Sequence, residues 1–320
     1  MIRWLCTAML VSCMCSYSIF SPSGVLAEKP FPSRHLTYLV VFDPGGQSDR
    51  EARRQQPLLM QLLGQPVIIE YKVGAGGATG WKYFSKKSRA DGHTFAGFNL
   101  PHVILQPSLQ KVGYATDDLT PIALFQRTPI ALAVLSDSPF KTLEDFMEAA
   151  RNSPGKMTVG GSSIYSGSHL AALRMQKMLD VKVSYIPFTG SSALMAGFMG
   201  GHLGACLVNS DDLALHRDKI RALAFATEQR FFAFPQTPTF RELGHDLIAS
   251  VERGVCVPSR TPKEVVLKLE KVFLEVLSNP QLQLEMKNSG SIPLAMGVDE
   301  TREYMQQLSN SLKELMTEFK

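Results

Sequence analysis

The chain is short of cysteine, of charge and of long apolar runs. It holds five cysteines in 320 residues, and Cys6, Cys13 and Cys15 all fall near its start. Only Cys206 and Cys256 lie further on, without metal-ligand spacing, so a disulfide framework or a zinc site is excluded. Each sits in an apolar run, which suits a small buried strand residue; the alternative is a disulfide joining two lobes. Charged residues make up 19% of the chain and the net charge is +4, spread along its length. That excludes the basic arm or stripe of a nucleic-acid-binding protein. The pairs Arg53-Arg54 and Lys86-Lys87 read as solvated helix faces. Past the N-terminal region no segment offers the roughly 20 uninterrupted apolar residues that span a bilayer.

Catalytic signatures are missing as well. The seven histidines, His35, His93, His102, His169, His202, His216 and His245, form no H-E-x-x-H and no i,i+4 pair, and none accompanies a G-x-S-x-G elbow. There is no G-x-x-x-x-G-K-[ST]. The run Gly74 to Gly80 follows an apolar segment as a dinucleotide fingerprint does, but that pattern needs glycine where Thr79 stands. No metal or cofactor is expected, and a nucleotide-binding enzyme is the weakest reading retained.

What is present starts at the N-terminus. Arg3 precedes an apolar run through Trp4, Leu5, Met9, Leu10 and Val11, and Val25-Leu26-Ala27 precedes polar Glu28-Lys29. This is the layout of a signal peptide over residues 1–27, cleaved after Ala27. Leu10-Val11-Ser12-Cys13 also has the form of a lipobox, making Cys13 a candidate lipid anchor. A periplasmic protein, freely soluble or tethered, is expected.

After Pro32, short β-rich runs alternate with amphipathic segments across turns of glycine, proline and serine, the pattern of an α/β protein with mainly parallel sheets. Strands are expected at Leu36–Phe42, Val67–Tyr71 and Thr94–Asn99, and a second series begins at Ile130. Two such series predict two lobes across a cleft: residues 28–124, then 125–226, with 227–320 returning to the first lobe through a strand from Gly254 to Pro258 and terminal helices without a sheet of their own.

In open α/β sheets ligands settle where strands give way to helices. Those turns are small and polar here: Gly45, Gly46 and Gln47; Gly76 and Gly77 after the second strand; Ser162, Ser163, Ser166 and Ser168; Thr189 and Gly190. Such turns are ordinary at helix starts. Four of them in two lobes point instead to a shared site where backbone amides meet an anion. Phe42, Asp43, Asn99 and Asn209 at strand ends complete the candidate set. His169 either caps its turn or touches the ligand, and Phe188 forms an aromatic wall or packs in the core. If the turns lay on distant faces, or bulky side chains filled the crevice, this reading would fail.

The order of these segments resembles the substrate-binding receptors of tripartite tricarboxylate transporters, the Bug family. Val40-Val41-Phe42-Asp43-Pro44-Gly45-Gly46-Gln47-Ser48-Asp49 is similar to the family's first-strand motif, and Gly64-Gln65-Pro66-Val67-Ile68-Ile69-Glu70 with Gly74-Ala75-Gly76-Gly77 to its second. Ala90-Asp91-Gly92, Leu119-Thr120-Pro121, Gly167-Ser168-His169, Ile186-Pro187-Phe188-Thr189-Gly190-Ser191 and Ile220-Arg221-Ala222-Leu223 follow in the same succession. The resemblance implies a type II periplasmic-binding fold that closes over a small carboxylate, a membrane transporter as partner, and a monomer without enzymatic activity. Two departures stand out. Asp43 replaces an uncharged residue, so either its carboxylate turns away and caps the turn, or the ligand carries an amine or is neutral. Asn209-Ser210-Asp211-Asp212 is more acidic than usual. A surface-anchored sensor with the same fold is the alternative.

Overall fold

Residues 30–318 are described by a computed structural model. The segment expected to be a signal peptide, with Cys6, Cys13 and Cys15, lies outside the described residues. In chain order the elements are β1 (Leu36–Val40), α1 (Gln47–Leu63), β2 (Val67–Tyr71), α2 (Ala78–Lys87), β3 (Thr94–Leu100), α3 (His102–Leu109) and β4 (Leu119–Leu135). Then come α4 (Leu143–Asn152), β5 (Thr158–Gly161), α5 (Gly167–Leu179), β6 (Ser184–Pro187), α6 (Ser191–Met199), β7 (Ala205–Asn209), α7 (Ser210–Leu215) and β8 (Ile220–Phe225). The chain ends with β9 (Ser250–Pro258), α8 (Lys263–Leu277), α9 (Pro280–Asn288), β10 (Ile292–Met296) and α10 (Val298–Glu318).

Local chemistry explains the boundaries. Asp49 accepts the Gly45 amide at 2.7 Å in the first turn of α1, and Gly64 ends that helix in the left-handed region with φ 63°. Thr142 and Asp145 cap α4 reciprocally. Ser166 caps α5, and Asn279 followed by Pro280 starts α9.

The strands run in the order β2-β1-β3-β9-β4-β7-β5-β6, with β8 and β10 also on β4. Pairing is parallel in β2-β1-β3 and β7-β5-β6, as the sequence suggests. Every pairing of β4 and β9 is antiparallel, so each sheet is mixed rather than mainly parallel. The reason is β4. Its first part pairs with β9 up to Pro129 opposite Ser250, and its last part pairs with β7 from Ile130 opposite Asn209. One strand thus serves two sheets, and the chain returns between Phe225 and Ser250. Pro121 and Pro129 hide the first half of β4 from a sequence pattern, and the ladder absorbs Pro121 beside a bulge. The strand expected from Gly254 to Pro258 is the end of β9, but the segment after it is not purely helical, since β10 pairs with β4.

Alternating strand residues feed a core on each face of each sheet. Tyr38 and Val40 face one cluster while Leu39 and Val41 face another. In the second sheet Ile130, Leu132 and Val134 oppose Ala131 and Ala133 in the same manner. Cys206 on β7 and Cys256 on β9 are buried and free, so the cross-lobe disulfide is not formed. No helix among the described residues is long and apolar enough to cross a membrane.

Candidate functional site

The strand-end turns converge. α1 begins at Gln47 from the first sheet's side and α6 begins at Ser191 from the second, and the Gln47 amide donates to Ser191 Oγ at 3.3 Å. A Cβ added to Gly46 would stand 3.0 Å from Ser192 Oγ, so the two turns meet with glycine at the contact. Thr189 Oγ1 donates to Asp43 Oδ2 at 3.1 Å at the exposed mouth. Asp43 therefore faces the opposite lobe and does not cap its own turn; Asp49 takes that role.

Between the turns lies a space of about 20 Å3 lined by Phe42, Gln47, Ser48, Asn99, His102, Ser162, Gly190, Ser191, Asn209, Val251 and Arg253. It has room for about one water molecule. Its limits are set mainly by polar groups. Gln47, only 4% exposed, donates from Nε2 to Asp212 Oδ2 at 2.7 Å and to Asp211 Oδ1, and accepts at Oε1 from Asn209 Nδ2 at 2.8 Å and from Arg253. Arg50 adds ion pairs to Asp212 at 2.7 Å and Asp211 at 3.2 Å. The crevice is thus closed on the protein's own side chains, hydrogen-bonded across it, rather than plugged by bulky apolar ones.

Burial sets the electrostatics. It pushes Asp212 up to about 6, assisted by the neighbouring Asp211 and opposed by Arg50. His102 is pushed down to about 3 by burial and by the nearby Arg253, so its imidazole is neutral. Arg253, 2% exposed, donates from Nη1 to Thr128 Oγ1 at 2.7 Å, while its Nε has no partner. His102 Nδ1 is likewise buried without a partner. Buried donors and acceptors left unpaired are uncommon enough to mark this space as one built for more than packing.

Of the sequence candidates, Phe42, Gln47, Asn99, Ser162, Gly190 and Asn209 line the space. Asp43, Gly46 and Thr189 border it through the contacts above, and the Gly45 amide is spent on Asp49. The others stand back from it. Ser166 caps α5, and Ser168 binds the Ser162 amide at 2.9 Å and Tyr185 at 3.2 Å. His169 accepts the Tyr165 amide at 3.3 Å, the capping alternative of its two roles. Gly76 and Ser163 touch each other across the lobes, Gly77 packs under Trp81, and Phe188 packs on Gly197 of α6. Arg50, His102 and Arg253 are not among the sequence candidates, Ser48 and Ser191 enter there only as members of the turn motifs, and Asp211 and Asp212 only as an acidic departure from the family pattern. Arg253 had a signal: a charged pair, Glu252-Arg253, interrupts an otherwise apolar strand. The Arg53-Arg54 pair is not simply a solvated face, since Arg54 holds the buried Glu51. Among the described residues, no group of three His, Cys, Asp or Glu is placed to hold a metal ion.

Two sheets joined by the one strand they share, with helix starts from both sides closing on a polar crevice, define a solute-binding protein of the type II periplasmic-binding fold. The chain belongs to the tripartite tricarboxylate transporter family receptors, whose model matches residues 52–320. It is 27% identical over 281 residues to protein BugT of Bordetella pertussis, covering 86% of each chain. The periplasmic binding protein BugD superposes with a TM-score of 0.84 at 25% identity, over 90% of this chain and 98% of that one. MatC from Rhodopseudomonas palustris with bound malate superposes at 0.81 and 25%, over 89% and 99%. BugD is a periplasmic binding protein and MatC holds malate, and the chain, a member of this receptor family, is a receptor rather than an enzyme.

Proposed function

We propose that the protein is a periplasmic receptor that captures a small organic acid by closure of its lobes and delivers it to a tripartite tricarboxylate-type membrane transporter. Residues 28–124 with 227–320 form one lobe and 125–226 the other. The observation that carries this reading is the meeting of α1 and α6 starts from opposite lobes around the partnerless nitrogens of Arg253 and His102. Helix starts bring unpaired amides and partial positive charge, and a buried guanidinium adds a full one, so an anionic group is favoured there. The malate bound by MatC is an acid of the expected class.

A space of about 20 Å3 does not admit such a molecule. Entry requires the lobes to part, and the two crossings, β4 between Pro129 and Ile130 and the return between Phe225 and Ser250, are the hinge. The polar contacts that open include Asp43 with Thr189, the Gln47 amide with Ser191, the Gln47 side chain with Asn209 and the two aspartates, and Arg50 with the same pair. Binding then replaces contacts between lobes by contacts to the guest.

Thermal-shift and titration calorimetry against mono-, di- and tricarboxylates, amino acids and nicotinate-like compounds test the proposal. A true ligand at a hundredfold its dissociation constant stabilises the protein by about 2.7 kcal/mol, a clear rise in Tm. Folded protein that binds no member of any class refutes it.

A further inference from the structure

The side chain at the centre of the crevice has the hydrogen-bonding pattern of a guest. The Gln47 carboxamide presents one acceptor and one donor, side by side, to two opposed sets of groups. Its oxygen faces Asn209 and Arg253; its nitrogen faces Asp211 and Asp212. These partners come from β7, β9 and α7, so the protein has assembled an acceptor-seeking wall and a donor-seeking wall a few ångströms apart.

Charge narrows the choice further. Arg50 and Arg253 balance Asp211 and Asp212, and the nearby Glu51 is balanced by Arg54. The remaining charge at the mouth is the carboxylate of Asp43. A guest with net negative charge would place its second carboxylate against two buried carboxylates and leave it uncompensated, which a low-dielectric site penalises heavily. A guest with one positive and one negative group preserves the balance. Phe42 and Val251 supply apolar lining beside these polar walls, suited to a short uncharged side chain.

We propose, resting on the receptor reading above, that the ligand is a small α-amino acid zwitterion that takes the place of the Gln47 carboxamide. Its carboxylate meets Arg253 and Asn209, and its ammonium meets Asp211 and Asp212. Gln47 swings aside on binding and is the competitor the ligand must displace.

Titration calorimetry on the whole protein with skeleton-matched probes tests this: alanine against propionate, and asparagine against succinamate and succinate. Each amino acid should bind at least tenfold more tightly than its partner lacking the ammonium. Gln47→Ala should tighten amino-acid binding severalfold without changing the order. Asp211→Asn with Asp212→Asn should remove the preference, bringing alanine and propionate to within about threefold. If the double variant does not fold, Asp211→Asn alone should narrow the gap in the same direction. Equal or tighter binding of succinate or propionate by the native protein overturns the zwitterion assignment while leaving the receptor intact. Binding of none of these probes overturns that assignment as well, while the receptor reading falls only if the wider series of carboxylates, amino acids and nicotinate-like compounds also fails to bind.

Discussion

Gly76 shows how closely residues distant in the chain approach one another beside the crevice. Its φ is 60°, and an added Cβ would stand 2.7 Å from Ser163 Oγ of the opposite lobe. Gly76→Ala should therefore cost about 1–2 kcal/mol from backbone conformation, and more from the clash. Calorimetry should report a Tm lower by several degrees, with part of the loss restored by Ser163→Gly in the same chain. An unchanged Tm would mean the contact is not held in solution. At this scale the sequence was informative where small residues cluster and silent where function rests on partners distant in the chain. Asn99 and Asn209 sit at strand ends and Gln47 and Gly190 at the helix starts that follow strands, where position alone nominates them. Arg253 reaches the crevice from a strand separated from Gln47 by 206 positions, a contact no local pattern encodes.

Among elements, α7 carries the pH dependence. It opens with Ser210, Asp211 and Asp212, all buried, and the two carboxylates face Gln47, Arg50 and Arg253. Asp212 is held up to about 6 by burial first and by Asp211 second, above its usual 3.8. The folded state therefore retains a proton that the unfolded state has released. Stability from this group falls as pH climbs from about 4 to about 6, by at most about 3 kcal/mol, and the penalty is fully present above that window. Denaturant titrations at pH 4.5 and 7 should show Asp212→Asn losing much of this fall; an identical profile would place the titration elsewhere. The same scale shows what the sequence withheld. β4 was legible only from Ile130, because Pro121 and Pro129 lack the amide hydrogens a strand normally donates. The element that joins the two sheets was thus the hardest to see, while β1, β2 and α1, bounded by glycine turns, were plain.

For the molecule as a whole, Cys206 and Cys256 offer a readout from each lobe. Both thiols are fully buried, and burial pushes both above their ordinary range, so neither ionises readily. Iodoacetamide at pH 8 should leave both unmodified in the native protein and alkylate both in denaturant, as peptide mass spectrometry would show. Native-state labelling of Cys256 alone would reveal that the first lobe opens independently of the second.

The path of β4 also dictates an order of assembly. Every strand of the second sheet has been synthesised by Phe225 and its core is complete by Val251, whereas the first sheet waits for the rest of β9 and for β10, which ends at Met296. The N-terminal β-α-β unit, made first, is consequently completed last. Until nearly the whole polypeptide is available, β3 and the leading half of β4 have bare edges, a state in which unassisted chains stick to one another. A chaperone that shields those edges would favour the yield of folded receptor far more than one acting on the middle of the chain.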